Sequence, residues 1–207
     1  NALKGGTGNN SNNVAVGSGS LLAVTTGSNN VVIGKDAGDL LTTSGANILI
    51  GIEAGTAISA GQTTTDGTVI VGAWSGTSLS SGGANTALGY RAMNNNATGS
   101  NNTYLGYDAG FGGSGGNNSN NTGVGKDSLL SITDGGYNVA VGSRCADALT
   151  TGDGNVFVGD FAGSTTTDVD YCTIVGHSAC GNGNMTSAAD GTIAIGNQAG
   201  NVQACTG

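Results

Sequence analysis

The side chains capable of acid–base or nucleophilic chemistry are few in this chain and widely spaced. Glu53 is its single Glu, His177 is its single His, and the aspartates are scattered. Glycoside cleavage requires two carboxyl groups placed across a groove, and this pattern does not provide them. His177 has only ordinary Ser and Cys neighbours, so a catalytic triad is not indicated. The sequence therefore predicts a protein that is not an enzyme and carries no cofactor.

Cysteines are the other reactive side chains, and all of them fall in the last third: Cys145, Cys172, Cys180 and Cys205. Cys172 and Cys180 flank Gly176 closely and could form a disulfide. Four cysteines allow three full pairings, and the spacing does not choose among them. Alternatively, the thiols are free and take the place of small core residues, as a buried Cys often does.

Metal binding is not favoured by the spacing of the candidate ligands. A zinc site needs closer ligands and more than the single His177. Asp36 and Glu53 are 17 residues apart and could share a calcium ion, but the nine-residue calcium-binding repeat is absent. We interpret this pair as a solvated acidic edge and predict no metal site.

Aromatic side chains offer the best candidate contact with a ligand. Trp74, Tyr90, Tyr107 and Phe111 supply most of the large rings, in a chain with only 4% aromatic residues. Exposed rings could stack against the faces of sugars. The alternative, which we favour, is a ladder of rings that stabilises adjacent structural units.

The element that must position these residues is a repeat, marked by a recurring glycine. The interval between anchor glycines is 17 residues in seven of ten steps, so one unit runs almost from end to end. The anchors are Gly17, Gly34, Gly51, Gly72, Gly89, Gly106, Gly125, Gly142, Gly159, Gly176 and Gly196.

The residues before each anchor predict a short strand. Val, Ile or Leu stands immediately before every anchor, and a β-branched residue stands two positions earlier. This alternation, closed by Gly, is typical of a strand that ends in a turn. We expect the residue before the anchor to be buried, and the always small residue three positions after the anchor to allow close packing.

Stacked copies of this unit can bury an apolar stripe that a single unit cannot. The sequence thus predicts an all-β fold, a parallel β-solenoid or β-roll of about eleven 17-residue coils, each with two short strands. We expect one domain over residues 1–207, with the repeats at about 9–200. Insertions at about Thr56–Asp66, Phe111–Asn120 and Gly181–Asp190 are expected to form loops on one face.

Residues at one repeat position should be neighbours in successive coils, and charge supports this register. Arg91, Asp108, Asp127 and Arg144 all follow their anchors by two residues, so each acid has an arginine beside it. An Asn also recurs four residues before most anchors. Its amide could bond along the stack or cap a local turn, and the pattern leaves both roles open.

Charge and hydropathy limit the partners. A net charge of −8 with five Lys and Arg argues against nucleic acid. No apolar run reaches the roughly 18 residues needed to cross a bilayer, so we expect no membrane insertion, and no signal-like segment begins the chain. The residue two before each anchor, such as Val32, Leu49 or Phe157, is expected to point away from the core. That face is too apolar for water, which predicts self-association.

A family resemblance extends these inferences. The segments at residues 138–146 and 192–200 resemble head repeats of YadA-type trimeric autotransporter adhesins, and the linkers at 25–30 and 98–102 resemble repeats of phage tail fibres and fibres of large viruses. The resemblance implies a left-handed parallel β-roll, a homotrimer, a location on the virion surface or outside the cell, and attachment to a host glycan or protein.

Two alternatives accompany the viral fibre. A bacterial adhesin head usually has a shorter repeat, and the chain has no recognisable anchor or coiled-coil stalk, which favours the fibre. An ice-binding solenoid is suggested by a ladder eight residues after the anchors, but Ala97, Ser114 and Asn184 interrupt it. The ladder consists of Thr25, Thr42, Ser59, Ser80, Thr133, Thr150 and Thr167.

Overall fold

The computed structural model describes residues 2–3, 8, 10–58, 66–183 and 185–201. Within these residues, eleven strands of three residues each form one parallel sheet in chain order. The strands are β1 (Val14–Val16), β2 (Val31–Ile33), β3 (Ile48–Ile50), β4 (Val69–Val71), β5 (Thr86–Leu88), β6 (Thr103–Leu105), β7 (Thr122–Val124), β8 (Val139–Val141), β9 (Val156–Val158), β10 (Thr173–Val175) and β11 (Ile193–Ile195). A 3-10 helix, Ser187–Ala189, precedes β11.

The repeat register predicted from the anchors is confirmed. Val16 pairs with Ile33, and Leu105 pairs with Val124 across a longer repeat, so insertions do not shift the ladder. The all-β parallel solenoid is therefore correct. The expectation of two strands per coil was wrong, because each coil of the described chain has one strand and closes through turns and irregular segments.

The two faces of the sheet are reversed from the sequence prediction. The middle residue of each strand points into the coil and is buried in all but β1, as at Val32 and Leu49, whereas Val16, directly before its anchor, is 55% exposed. The prediction that the uniform position forms the core is therefore wrong. Its uniformity instead belongs to the outward surface, since the interior accepts side chains of different size.

That tolerance has a structural basis, because the strand centre shares its space with the residue six positions later. Phe157 faces Gly163, and a Cβ at Gly163 would overlap the Phe157 ring. Where the strand centre is small, as at Ala87, the later residue is large and buried, as at Met93. The same exchange of volume occurs in Val32 with Gly38, Leu49 with Gly55, Ile70 with Gly76, Tyr104 with Gly110, Ala15 with Leu21 and Gly123 with Leu129.

The anchor glycines bring successive coils together. Every anchor has a φ between +126° and +148°, a region that L side chains rarely adopt. In addition, a Cβ at Gly89 would overlap the carbonyl oxygen of Gly106 in the next coil, and Gly17 to Gly176 all meet the following anchor in this way. Gly196 shares the backbone angle, but its Cβ would meet only Ala199, at 3.9 Å.

The asparagine ladder bonds mainly along the stack, and Asn85 also caps a local turn, with its Nδ2 donating to the carbonyl of Gly82 at 3.2 Å. The Oδ1 atom of Asn102 accepts the Asn121 N–H at 2.9 Å, while its Nδ2 donates to Asn85 Oδ1 at 3.1 Å and to the carbonyl of Asn118 at 2.9 Å. Thr68 and Cys172 replace Asn in the ladder, yet their N–H groups still donate to Oδ1 of the preceding Asn. The ladder amides thus join successive coils, although Asn47 Nδ2 is buried without a hydrogen-bond partner.

We predict that Gly89→Ala destabilises the protein much more than Gly196→Ala does. Both substitutions carry the strain of an unfavourable φ, about 1–3 kcal/mol, but only the first forces two coils apart. Chemical unfolding monitored by circular dichroism compares the two variants directly. Equal losses of unfolding free energy in the two variants would show that the backbone angle, and not the close approach of coils, is the reason for glycine at the anchor.

We also predict that Phe157→Ala and Gly163→Met compensate each other. Alone, Phe157→Ala leaves a cavity and should lower the free energy of unfolding by about 3–5 kcal/mol. Gly163→Met alone overpacks the core and should lower it by about 1–3 kcal/mol. The double variant copies the arrangement of Ala87 and Met93, so its loss of unfolding free energy should be smaller than the sum. Additive losses in a thermodynamic cycle would contradict the shared volume.

Candidate functional site

The four aromatic candidates lie together at the corner that follows the strands. The Trp74 and Tyr90 rings meet edge to face, with centroids 5.4 Å apart, and Tyr90 stacks on Tyr107 at 5.1 Å. The Arg91 guanidinium lies 4.7 Å from the centroid of the Phe111 ring and 5.7 Å from that of Tyr90. Neighbouring rings therefore contact one another along the rod, which is the geometry of a ladder. Contact with sugars stays a prediction.

Arg91 ties this cluster to the next coil. Its Nε and Nη2 atoms donate to the two carboxylate oxygens of Asp108, at 2.9 and 2.8 Å. Burial raises the pKa of Asp108, and the bonds from Arg91 oppose that shift. The predicted neighbourhood of Arg91 and Asp108 is confirmed, and a two-bond pair of this kind holds its side chains in a defined orientation.

Asp127 and Arg144 lie in adjacent coils, as the register predicts, but they do not bond to each other. Asp127 accepts a bond from Lys126 Nζ at 2.7 Å, and Arg144 instead donates to Asp147 at 3.1 Å. Arg144 also lies over the ring of Phe161, 4.8 Å from its centroid. Lys126 thus neutralises Asp127 locally, which leaves Arg144 to an acid within its own coil.

The acidic edge contains Asp36, Asp39 and Glu53. Lys35 bonds to the Asp36 carboxylate, so this acid already has a cation beside it. Burial, followed by the charge of Asp36, raises the pKa of Asp39, and the Oδ1 atom of Asp39 is buried without a hydrogen-bond partner. Across the described residues, no three Asp, Glu, His or Cys side chains are grouped so that they could hold a metal ion.

The proposed Cys172–Cys180 disulfide does not form in this structure. Cys172 is a free buried thiol, and its Sγ donates to the carbonyl of Ala189 at 3.4 Å. Cys145 fills the small core position after its anchor, where burial raises its pKa to about 12. Both thiols therefore stay protonated and unreactive at neutral pH. Cys205 lies outside the described residues.

Of the three insertions predicted to form loops, only residues 111–120 are described in full. The insertion at 111–120 folds inward, because Asn118 is fully buried and Asn96 forms a bridge with Gly116. The Tyr104 hydroxyl donates a hydrogen bond to Oδ1 of this buried Asn118 at 2.7 Å. Residues 59–65 and 184 of the other two insertions lie outside the described residues. Ser114, Gly115 and Asn117 nevertheless stay exposed, so residues 111–120 combine an exposed turn with buried anchoring residues.

Several hydroxyl groups of the threonine ladder donate to the backbone of the next coil, although Thr42 Oγ1 is buried without a hydrogen-bond partner. Thr25 Oγ1 donates to the carbonyl of Thr42 at 3.1 Å, and Thr150 Oγ1 donates to that of Thr167 at 2.8 Å. Thr133 makes the equivalent bond to Thr150. These hydroxyl hydrogens serve the contact between coils. Ser59 of the ladder and Asn184, which interrupts it, lie outside the described residues.

The largest candidate site is the outer sheet face, which we define as the first and third residues of β1–β11. It is a double column of Val, Ile, Leu and Thr that the sequence analysis assigned to the interior. Leu88 is 44% exposed and Ile195 is 68% exposed, and the described surface has no pocket. The arrangement provides a long flat apolar surface and no enclosed cavity for a small ligand.

Comparison with known proteins finds no matching family model, curated protein or solved structure. Among the residues that the structure describes, no helix has the length and apolar character required to cross a membrane.

We predict that Asp39→Asn stabilises the protein slightly at pH 7. Because the folded pKa of Asp39 is raised, its ionised form makes folding less favourable above that pKa. The gain should disappear as the pH falls towards the unfolded pKa of about 3.8. Urea unfolding at several pH values measures this, with exposed Asp134→Asn as the control. A gain that persists at low pH would contradict the burial of the charge.

Proposed function

We propose that this chain is a segment of a homotrimeric viral or phage attachment fibre, in which it forms a rigid shaft or head. The observation that carries the proposal is the outer sheet face. At about 4.8 Å per coil, its eleven strands extend roughly 50 Å. Soluble monomers rarely expose an apolar patch of more than a few hundred Å², so this face needs a cover.

Other copies of the same chain fit that need. Both columns of the outer sheet face repeat once per coil along the whole sheet. A surface with this repeat distance packs best against another surface that has the same repeat distance, as a second copy of the chain does. Three chains around one axis would enclose the outer faces in a second apolar core. The number three and the left-handed coil come from the resemblance of the repeats to fibre and adhesin repeats.

A mechanical function agrees with the rest of the surface. Side-chain hydroxyls, amides and aromatic rings mostly bond or stack from coil to coil, which stiffens the rod. The protein would act at the virion surface as a spacer between a particle and its host. Contact with a host glycan or protein would fall to exposed edges such as that of Trp74, Tyr90 and Tyr107, or to other parts of the fibre. No catalytic step is required.

The native mass tests the assembly. We expect light scattering to give three times 19.8 kDa, with and without reductant, because no disulfide is needed. Leu88→Asp combined with Leu105→Asp places charge on the outer sheet face and should yield monomers. Ser114→Asp, on an exposed turn, supplies the control and should remain trimeric. A stable wild-type monomer would overturn the proposal.

A further inference from the structure

The corner that follows the strands carries an exposed apolar strip across four successive coils. We call Ile52, Trp74, Tyr90 and Tyr107 the corner strip, and each of these side chains is more than a third exposed. The Trp74 N–H donates to the carbonyl of Ile52 at 2.8 Å, which places these two residues in adjacent coils. At about 4.8 Å per coil, the strip is roughly 14 Å long.

The other rings at this corner have their faces covered by a ring or by a cation. Tyr90 and Tyr107 stack on each other, with their planes only 11° apart. The Lys126 Nζ atom lies 5.9 Å from the centroid of Tyr107, and the Arg91 guanidinium lies over both Tyr90 and Phe111. Rings covered in this way hold neighbouring coils together and leave mainly their edges for a ligand.

Trp74 is the exception. Because Tyr90 and Tyr107 stack between successive coils, their faces look along the rod. The Trp74 plane is turned by 80° from that of Tyr90, so an edge of the indole meets the Tyr90 ring and the indole faces are turned across the rod. Within the described part of the chain, no cation and no other ring lies over an indole face. An aromatic face is therefore open to a ligand at Trp74.

The neutral polar groups around that face are uncommitted. Among the described residues, the Trp74 Nε1–H group and the hydroxyls of Tyr90 and Tyr107 have no hydrogen-bond partner. Arg91 and Lys126, the cations beside the strip, are already paired with acids. The strip thus combines an open aromatic face with neutral donors and acceptors, while its cations are occupied.

This combination fits a neutral sugar. A pyranose ring presents C–H groups on one face and hydroxyl groups around its edge, which match an aromatic face bordered by polar hydrogens. An anionic sugar would have to compete with the acids already bonded to the cations. The described surface has no pocket, which argues against a small apolar ligand, because such ligands bind in clefts that enclose most of their surface.

We propose that the corner strip binds a neutral glycan, with one sugar ring stacked on Trp74 and sugar hydroxyls bonded to Tyr90 and Tyr107. The stacked tyrosines are then the ladder that supports the strip, and Trp74 is the contact residue. This inference rests on the proposed attachment function for its biological role, although the binding itself needs only this corner. A flat site of this kind should have a Kd of about 1 mM, and repeated copies along a fibre would strengthen attachment.

Fluorescence measures the site directly, because Trp74 is the single tryptophan of the chain. Cellohexaose, maltohexaose and mannohexaose are the neutral probes, each titrated to about 10 mM. At least one of them should change the Trp74 emission in a saturable way. Hexagalacturonic acid, the anionic probe, should bind more weakly than that neutral probe.

Variants assign the contact, with binding followed by ligand-observed NMR and folding by circular dichroism. Trp74→Ala should weaken binding by at least about tenfold, as the loss of a central aromatic contact does. Phe161→Ala is the matched control and should bind normally, because Phe161 has the same repeat position but lies under the Arg144 guanidinium. Tyr107→Phe keeps the stack, removes the hydroxyl and should weaken binding several-fold.

Four results would overturn the glycan site. These are no saturable change with any neutral probe, tighter binding of hexagalacturonic acid, equal losses in Trp74→Ala and Phe161→Ala, or shielding of Trp74 from acrylamide quenching in the sugar-free protein. The last result would mean that another copy covers the corner.

Light scattering on the same samples separates this inference from the proposed fibre. A trimer that binds no neutral probe would overturn the glycan site and leave the fibre standing. A monomer that binds through Trp74 would overturn the trimer and leave the glycan site standing.

Discussion

The close approach of successive coils at the anchor glycines is the constraint on which the rest of the structure depends. At Gly89 the backbone of the next coil occupies the space where a side chain would begin. Because this contact recurs at almost every anchor, each residue of a coil lies directly above the residue at the same repeat position in the neighbouring coil. The parallel sheet, the asparagine ladder and the stacked rings all follow from that superposition.

Superposition changes what the core requires of the sequence. In a globular core each residue packs against residues from many different parts of the chain. Here the interior residues of a coil pack only against those of the same coil and the adjacent coils. Tyr104 and Phe157 are therefore accommodated by Gly110 and Gly163, and Ala87 by Met93. In most coils a larger residue at one interior position is paired with a smaller one at the other, although Ala140 and Ala146 are both small, so no single interior position has to be uniform.

The outer sheet face connects this architecture to the proposed function. Its residues have the uniformity usually associated with a core, although Val16 and Ile195 are exposed in the single chain. Uniform columns on a flat surface suit repeated contact with identical chains, and the apolar surface they form is costly to leave in water. A mechanical fibre needs both properties, because bending resistance increases when thin rods are joined along their length.

The sequence determined the period, the strands and the parallel register, because every copy of the anchor must meet its neighbour in the same way. It also identified two pairs of neighbours, Arg91 with Asp108 and Tyr90 with Tyr107. It could not determine which sheet face is interior, since Val32 and Ile33 are equally apolar. That choice depends on turn residues with positive φ, among them Trp74 and Arg91, whose types do not reveal that conformation. The tertiary structure decided it, because only closure of the coil directs the strand centres inward.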